Sequence, residues 1–205
     1  MTNSLPTTLP LSKLVTEMQE SATLKMAKMA RELKAQGKDV IDLSLGEPDF
    51  DTPVHIKEAA KKALDDGYTK YTPVNGLLEL RQAIVNKLAR ENDLHYTVNQ
   101  IVVSNGAKQS VYNLCMALLD PGDEVILPAP YWVSYAEIVK MAGGVPVIAN
   151  SSIEQDFKST PEEIEALITD RTKFILYSSP CNPSGSVFSF EELQALALML
   201  QAHEH

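Results

Sequence analysis

A short run of small residues, Asn105-Gly106-Ala107, leads directly to Lys108 at the start of a predicted helix. Exposed amide N–H groups at a helix N-terminus, the positive end of the helix dipole and a nearby ammonium group together suit a phosphate. Small residues also serve simply to let a strand and a helix approach closely, with the lysine in solvent. The run matches neither a Walker A motif nor GxGxxG, so taken alone it leaves both interpretations open.

Two further loops carry side chains that could hold a planar ring. The only tryptophan, Trp132, follows the predicted strand Glu124–Leu127, and an indole in that place could stack on a heteroaromatic ring. Asn182 lies between Pro180 and Pro183, which restrict the backbone and would present its amide at a fixed position. Core packing of the indole and a plain Asn-Pro turn are the alternative interpretations.

Other reactive side chains give weaker signals. The loop that begins at Gly46 could hold a carboxylate through backbone N–H groups, or it could be only a turn. The four histidines lack the spacing of metal ligands, and no GxSxG motif is present. The sequence therefore predicts no metal site and gives no support to serine-nucleophile hydrolysis.

Composition narrows the class of protein. The 205 residues include 27 acidic and 18 basic side chains, a net charge of −9, which argues against nucleic-acid binding. The apolar share of 44% and charged share of 22% are typical of a globular domain. No apolar run approaches membrane-spanning length and no signal peptide is visible, so we expect a cytoplasmic protein. Cys115 and Cys181 are too far apart for a metal or redox pair and are expected to be reduced thiols.

The elements that must position these loops follow from hydrophobic period and capping signals. Strands alternate with helices, which predicts βαβ units: an α/β fold with a mostly parallel sheet and helices on both faces. Ligands bind such sheets beyond the carboxyl ends of the strands, where the loops of interest fall. The predicted strands are 40–45, 101–104, 124–127, 145–149 and 174–178. The predicted helices are 22–36, one from Thr52-Pro53 to Gly67, 77–88, 108–119, 131–141, 161–168 and one opening at Ser189, the last two announced by capping boxes.

Five segments taken together and in order carry a resemblance that none carries alone. They resemble the class I aminotransferases of the aspartate aminotransferase family, which are pyridoxal-phosphate enzymes of fold type I. The resemblance runs from about Ser12 to the end of the chain. The segments are SLGEPDFDTP (44–53), YTPVNG (71–76), SNGAKQ (104–109), DPGDEVILPAPYWVSY (120–135) and SPCNPSG (179–185).

The resemblance implies a cofactor site. Gly106, Ala107 and Lys108 match the segment that receives the phosphate of pyridoxal 5'-phosphate. Trp132 matches the aromatic residue that stacks on the pyridine ring. Asn182 matches the asparagine that hydrogen-bonds the ring hydroxyl and lies near the substrate carboxylate.

The resemblance also implies substrates and a subunit partner. Gly46 matches a glycine whose backbone contacts the substrate α-carboxylate, with Trp132 and Asn182 completing the substrate contacts. Tyr71 matches a tyrosine that reaches the cofactor phosphate of the neighbouring subunit, so a homodimer is expected. The substrates would be an L-amino acid such as aspartate and a 2-oxo acid. Residues 1–45 would form the N-terminal arm, helix and short strand of the small-domain side, and 46–205 a partial large domain.

The chain corresponds to about half of a family member. The Schiff-base lysine, the aspartate that pairs with the ring nitrogen and the arginine that binds the substrate carboxylate match no position here. We therefore expect the N-terminal, truncated portion of an aminotransferase, with no catalytic residue of its own and no activity alone. Two alternatives stay open: a non-catalytic phosphate-binding, cofactor-binding or interaction module, and a nucleotide-binding α/β domain.

Overall fold

The computed structural model describes residues 10–18, 22–43 and 46–203. The chain divides into two compact units, which are treated separately: residues 1–38 with 111–205, and residues 39–110. The boundary falls within one helix, α5. The helices are α1 (Lys13–Glu17), α2 (Ala22–Ala35), α3 (Val54–Asp65), α4 (Leu78–Asn92), α5 (Ala107–Leu118), α6 (Ser134–Met141), α7 (Pro161–Glu165) and α8 (Phe190–Gln201).

A parallel sheet forms the centre of the first unit. Its strands are β1 (Glu124–Pro128), β2 (Val145–Ala149) and β3 (Thr172–Ile175), in the order β2-β1-β3. The parallel, helix-flanked sheet confirms the predicted fold class. Because β1 has a neighbour on each side and helices above and below, all five of its residues are buried, as expected of a central parallel strand.

Successive residues of β1 point to opposite faces of the sheet and build two separate cores. Val125 and Leu127 belong to a cluster with Cys115 of α5 and with Ile138 of α6. Ile126 points the other way. It packs in a second cluster that contains Ile164 of α7 and Leu196 of α8. The helices therefore cover both faces of the sheet, and α5 and α6 share one face.

Two helices of the first unit begin with the predicted capping boxes. At α7 the amide of Glu163 donates to Thr160 Oγ1 at 3.3 Å, and the amide of Thr160 donates back to Glu163 Oε2 at 2.8 Å. At α8 Ser189 and Glu192 exchange the same pair of bonds at 3.2 and 2.6 Å. Each box satisfies two backbone donors that have no partner within the helix, which explains why both helices start where the sequence indicates.

The second unit is organised around a buried arginine. Arg81 of α4 is only 8% exposed. It donates from Nε to Gly76 O at 3.2 Å and from Nη1 to Val98 O at 2.9 Å. Gly76 has φ +94°, and a Cβ there would lie 2.7 Å from Val103. Glycine is thus required for both the backbone conformation and the close approach.

Two predicted strands are wrong where the structure describes them. Residues 40–43 and 101–104 belong to no strand. Ser44 and Leu45, the rest of the first prediction, lie outside the described residues. Ile41 and Leu43 are 86% and 89% exposed, and the amide of Val103 donates to a loop carbonyl, Asn75 O. A strand requires a neighbour with which to exchange backbone hydrogen bonds, and alternation in the sequence does not supply one.

Several boundaries also differ from prediction. The helix expected at Tyr131 begins at Ser134, and the strand expected over 174–178 spans Thr172–Ile175. Helix α3 is capped at Pro53 without a side-chain hydrogen bond, so Thr52 does not serve as the expected cap. Helix α7 ends at Glu165, and α1 was not anticipated. The shifts at Tyr131 and Tyr177 lengthen the loops that follow β1 and β3, which carry the residues of interest.

No helix in the part of the chain that the structure describes has the length and apolar character needed to cross a membrane.

Candidate functional site

The loop after β1 holds Trp132 at the carboxyl edge of the sheet. The amide of Ala129 donates to Ala149 O at 2.8 Å, and the hydroxyl of Ser151 donates to Ala129 O. These bonds tie the loop to the end of β2. Trp132 is half-buried, and its ring meets Tyr135 edge to face, with centroids 5.5 Å apart and planes at 85°. The indole packs against the cluster that β1 forms with α5 and α6, called here the α5–α6 core. Its half-buried position is compatible both with core packing and with stacking on a ligand ring.

The loop after β3 is closed by its own backbone. The amide of Cys181 donates to Ser186 O and the amide of Gly185 donates to Cys181 O, each at 2.8 Å. Asn182 lies in the turn between these bonds with its side chain exposed. The backbone N–H of Asn182 donates to Ser178 Oγ at 3.3 Å. The loop therefore fixes the backbone of Asn182 while leaving its side-chain amide accessible.

A thiol joins the two loops. Cys181 Sγ lies 3.1 Å from Pro130 O and donates to it. Because β1 and β3 are adjacent and parallel, their carboxyl ends lie at one edge of the sheet. The contact joins two loops there: the loop between β1 and α6, called the Trp132 loop, and the loop between β3 and α8, called the Asn182 loop. Sequence reasoning treated Cys181 only as a reduced thiol and missed this role; its place in the loop after a predicted strand was the available signal.

Lys158 contacts the end of the loop after β3, which carries Asn182. Sequence reasoning missed this residue. Its ammonium group lies 2.7 Å from Glu192 Oε1 and 3.4 Å from Asp156 Oδ2, and it donates to Val187 O at 3.3 Å. The hydrogen bond with Glu192 raises the pKa of Lys158 and lowers the pKa of Glu192. Lysine is common on surfaces, so nothing in the sequence distinguishes this one.

The predicted phosphate segment belongs to the second unit. Gly106 has φ +85° and immediately precedes α5, whose first residues are Ala107 and Lys108. Gly106 O accepts from the amides of Gln109 at 3.1 Å and Ser110 at 3.4 Å. The first amides of a helix point out of its N-terminal end, where the positive end of the helix dipole favours an anion.

The remaining predicted residues are exposed. Tyr71 is fully accessible, as is its loop neighbour Val74. Gly46 is also exposed, and a Cβ there would meet nothing within 4 Å. The structure thus brings Trp132 and Asn182 to one edge of the sheet within the first unit. It holds Gly46, Tyr71 and the phosphate segment in the second.

Metal binding finds no structural support in the regions described. Within residues 10–18, 22–43 and 46–203, no three His, Cys, Asp or Glu side chains are grouped so that they could hold a metal ion.

The parallel order β2-β1-β3 and the two joined loops define an α/β domain. The loops lie at the carboxyl ends of its strands, where ligands bind in open sheets of this kind. The family model for aminotransferases of class I and II matches residues 38–205. The chain belongs to this family.

Relatives that are similar in sequence or in structure carry aminotransferase names. The chain is 52% identical over 193 residues to an aspartate/prephenate aminotransferase from Nitrosomonas europaea, covering 94% of this chain and 49% of that protein. It is 50% identical over 193 residues to an aspartate aminotransferase from Geobacillus stearothermophilus, with coverage of 94% and 49%. The structure of an aspartate aminotransferase from Thermus thermophilus with maleate superposes with a TM-score of 0.91 at 48% identity, covering 96% of this chain and 52% of that one. The chain therefore spans about half the length of the relatives it matches.

Proposed function

We propose that this chain is the N-terminal portion of a pyridoxal-phosphate-dependent aminotransferase, which transfers an amino group from aspartate or a similar L-amino acid to a 2-oxo acid. Family membership and the printed names of the relatives support this proposal. The observation that carries it is the 3.1 Å contact between Cys181 and Pro130, which joins the Trp132 and Asn182 loops at one sheet edge.

The chemistry of the two loops suits the ring of pyridoxal phosphate. A half-buried indole offers a planar surface for an aromatic ring. The exposed amide of Asn182 offers an N–H donor to a ring hydroxyl and, by the same chemistry, to a substrate carboxylate. Trp132 is held by the α5–α6 core and Asn182 by its loop backbone, so both would be oriented before a ligand binds.

The start of α5, which lies in the second unit, suits a phosphate group. Gly106 turns the chain into the helix, whose first amides point out of its N-terminal end. A dianion gains from these donors and from the helix dipole. The Lys108 ammonium group adds a positive charge in the first turn. We assign Gly106, Ala107 and Lys108 to phosphate binding.

Two exposed residues are assigned to contacts outside the cofactor ring. Tyr71 is fully accessible in its own chain, which suits a side chain that completes the site of a neighbouring subunit, and we propose a homodimer on that basis. Gly46 would present its backbone to the substrate α-carboxylate. We further propose that residues 1–45 belong to a small domain and 46–205 to a partial large domain, and that the enzyme works in the cytoplasm.

The cofactor, when bound, supplies the carbonyl group that accepts the amino group and the ring that withdraws electrons. The residues of this chain would bind and orient: the start of α5 would hold a phosphate, Trp132 would cover a ring and Asn182 would donate a hydrogen bond. None of its lysines stands in a motif that resembles the Schiff-base lysine, and the site needs such an amine to move a proton. We therefore propose that the 205-residue chain alone does not catalyse transamination.

Trp132 is the only tryptophan, so its fluorescence reports on this loop alone and tests the proposal. Titration of the chain with pyridoxal phosphate should quench the emission saturably. Loss of one hydrogen bond in Asn182→Ala should weaken the affinity about 2- to 13-fold. The matched control is Asn86→Ala on α4, which should leave the affinity unchanged.

Three results would contradict the proposal. Quenching that does not saturate would show that pyridoxal phosphate has no specific site near Trp132. Stronger binding of a mononucleotide than of pyridoxal phosphate would favour a nucleotide-binding domain. Borohydride reduction followed by mass spectrometry should show no stoichiometric adduct at a single lysine, so such an adduct, with turnover of aspartate, would refute the claim that the chain is inactive alone.

A further inference from the structure

Lys158 occupies an unusual position for a lysine. Its side chain is only 16% exposed, although lysines are seldom buried unless they are paired. It lies in the connection between β2 and α7, yet its partners come from that connection, from α8 and from the end of the Asn182 loop. A lysine that joins three separate segments does more than solubilise the surface.

The ammonium group has three N–H donors and three acceptors around it. Glu192 of α8 accepts at 2.7 and 3.0 Å, Asp156 lies at 3.4 Å and the carbonyl of Val187 accepts at 3.3 Å. The ring of Phe188 lies 5.9 Å from Nζ, within the range of a cation–π contact. The ammonium group of Lys158 is therefore surrounded by acceptors from α8, from the β2–α7 connection and from the end of the loop after β3.

The backbone beside Lys158 adopts an uncommon conformation, which places one of these partners. Asp156 and Phe157 both have φ +53°, the left-handed region that is unfavourable for residues other than glycine, asparagine and aspartate. The Asp156 carboxylate also accepts from the hydroxyl of Ser186 at 3.4 Å. Asp156 tolerates this conformation, whereas at Phe157 it is unfavourable and persists only where the surroundings hold it. The Asp156 carboxylate lies between Lys158 and Ser186 of the loop after β3.

The bonds continue from Lys158 to the turn that contains Asn182. Ser186 accepts a hydrogen bond from the Ser184 hydroxyl at 3.0 Å, and its carbonyl accepts from the amide of Cys181 at 2.8 Å. Asn182 follows directly. Lys158 thus holds the closing residues of a loop whose other end carries the proposed cofactor contact.

We propose that Lys158 is a positioning residue for the cofactor site: it fixes residues 184–188 and thereby the orientation of the Asn182 amide. The proposal rests on the proposed role of Asn182 in cofactor binding. It requires that the loss of Lys158 be felt at Asn182 and not throughout the fold.

Hydrogen exchange in the chain without cofactor tests the anchoring directly. Lys158→Met should accelerate exchange in peptides covering 178–189 and leave the β1 peptides unchanged. Lys158→Arg keeps the charge and should restore slow exchange. The matched control, Lys62→Met, removes an exposed α3 lysine paired with Asp66 and should change nothing in this region.

Pyridoxal-phosphate affinity, measured by Trp132 quenching, tests whether the anchoring acts through Asn182. Lys158→Met should weaken binding about 2- to 13-fold, the effect of one lost hydrogen bond. In an Asn182→Ala background the same substitution should cause no further loss, because residues that act as a unit are not additive. A lysine that only stabilised the fold would weaken both backgrounds equally.

Each outcome decides the question. Unchanged exchange in Lys158→Met, accelerated exchange across the whole chain, or full additivity with Asn182→Ala would overturn the proposal. If Lys158→Met does not fold, Asp156→Asn is the second variant. It keeps a residue that tolerates the left-handed conformation and removes the carboxylate charge, so exchange should rise only in 178–189. If the unaltered chain does not bind pyridoxal phosphate, the proposed function fails, while the exchange experiment still decides whether Lys158 anchors the loop.

Discussion

Truncation of Leu127 to alanine should destabilise the first unit severely. Leu127 lies in β1 with no exposed surface, and Trp132 packs against the same core. The substitution removes three carbons, worth about 2.4 kcal/mol at about 0.8 kcal/mol per buried carbon. The cavity left between β1, α5 and α6 adds to this, because β1 is fixed on both sides and cannot collapse into it. We expect a loss of about 3–5 kcal/mol in the free energy of unfolding.

Urea unfolding followed by Trp132 fluorescence and by circular dichroism measures this loss. For a chain of this size, 3 kcal/mol corresponds to a fall in Tm of about 6–12 °C. The matched control is Leu198→Ala on α8, where the leucine is 61% exposed and the same three carbons should matter by less than about 0.5 kcal/mol. The slope of the unfolding free energy against urea should be the same in both variants if only stability changes.

Equal effects at the two positions would refute the reasoning, since they would mean that burial in the β1 core does not determine the cost. A loss below about 1 kcal/mol at Leu127 would have the same meaning. A changed fluorescence maximum in the folded Leu127→Ala variant, by contrast, would show that the core also sets the environment of Trp132.

Two further substitutions test local features. Ser189→Ala removes the cap of α8 and should cost about 1 kcal/mol in urea unfolding, whereas Ser189→Asp, which keeps an acceptor, should retain most of the stability. The buried Glu124 has its pKa lowered, first by the hydrogen bond from the Thr169 hydroxyl and then by Arg171. Its contribution is therefore present above the unfolded value of about 4.3 and is lost as the pH falls through the lower folded pKa. The urea midpoint should accordingly fall below pH 4 more steeply in the unaltered chain than in Glu124→Gln, and identical acid profiles would contradict this assignment.

Local signals were enough to predict much of the fold. The capping boxes at Thr160 and Ser189 fix helix starts because the two bonds in each are made within four residues of sequence. The predicted strand 124–127 contains the apolar run Val125–Leu127, as expected of a central parallel strand that is covered on both faces. These features depend on neighbours close in sequence or on burial alone, and the sequence contains both.

The candidate site could be predicted only in outline. Trp132 and Asn182 could be assigned to strand ends, and the parallel sheet then requires that they lie at one edge. The contacts that hold them there could not be predicted, since Cys181 with Pro130 and Lys158 with Val187 join residues 51 and 29 positions apart. Such contacts leave no periodic signal, because each depends on where two loops happen to meet.

The two wrong strand predictions show what alternation encodes. Ile41 and Leu43 alternate with polar residues as a strand does, and 101–103 is apolar, yet neither segment pairs in the described residues. Apolar character indicates that a face is suited to burial, while pairing depends on a second backbone with free N–H and C=O groups. The edge of the sheet shows an apolar surface without a strand beside it. Among the described strands β3 pairs only with β1, and an apolar groove of about 520 Å³ lies between β3 and α8. The pattern in a single sequence records which surfaces are to be covered, and only the partner determines whether an extended segment becomes a strand.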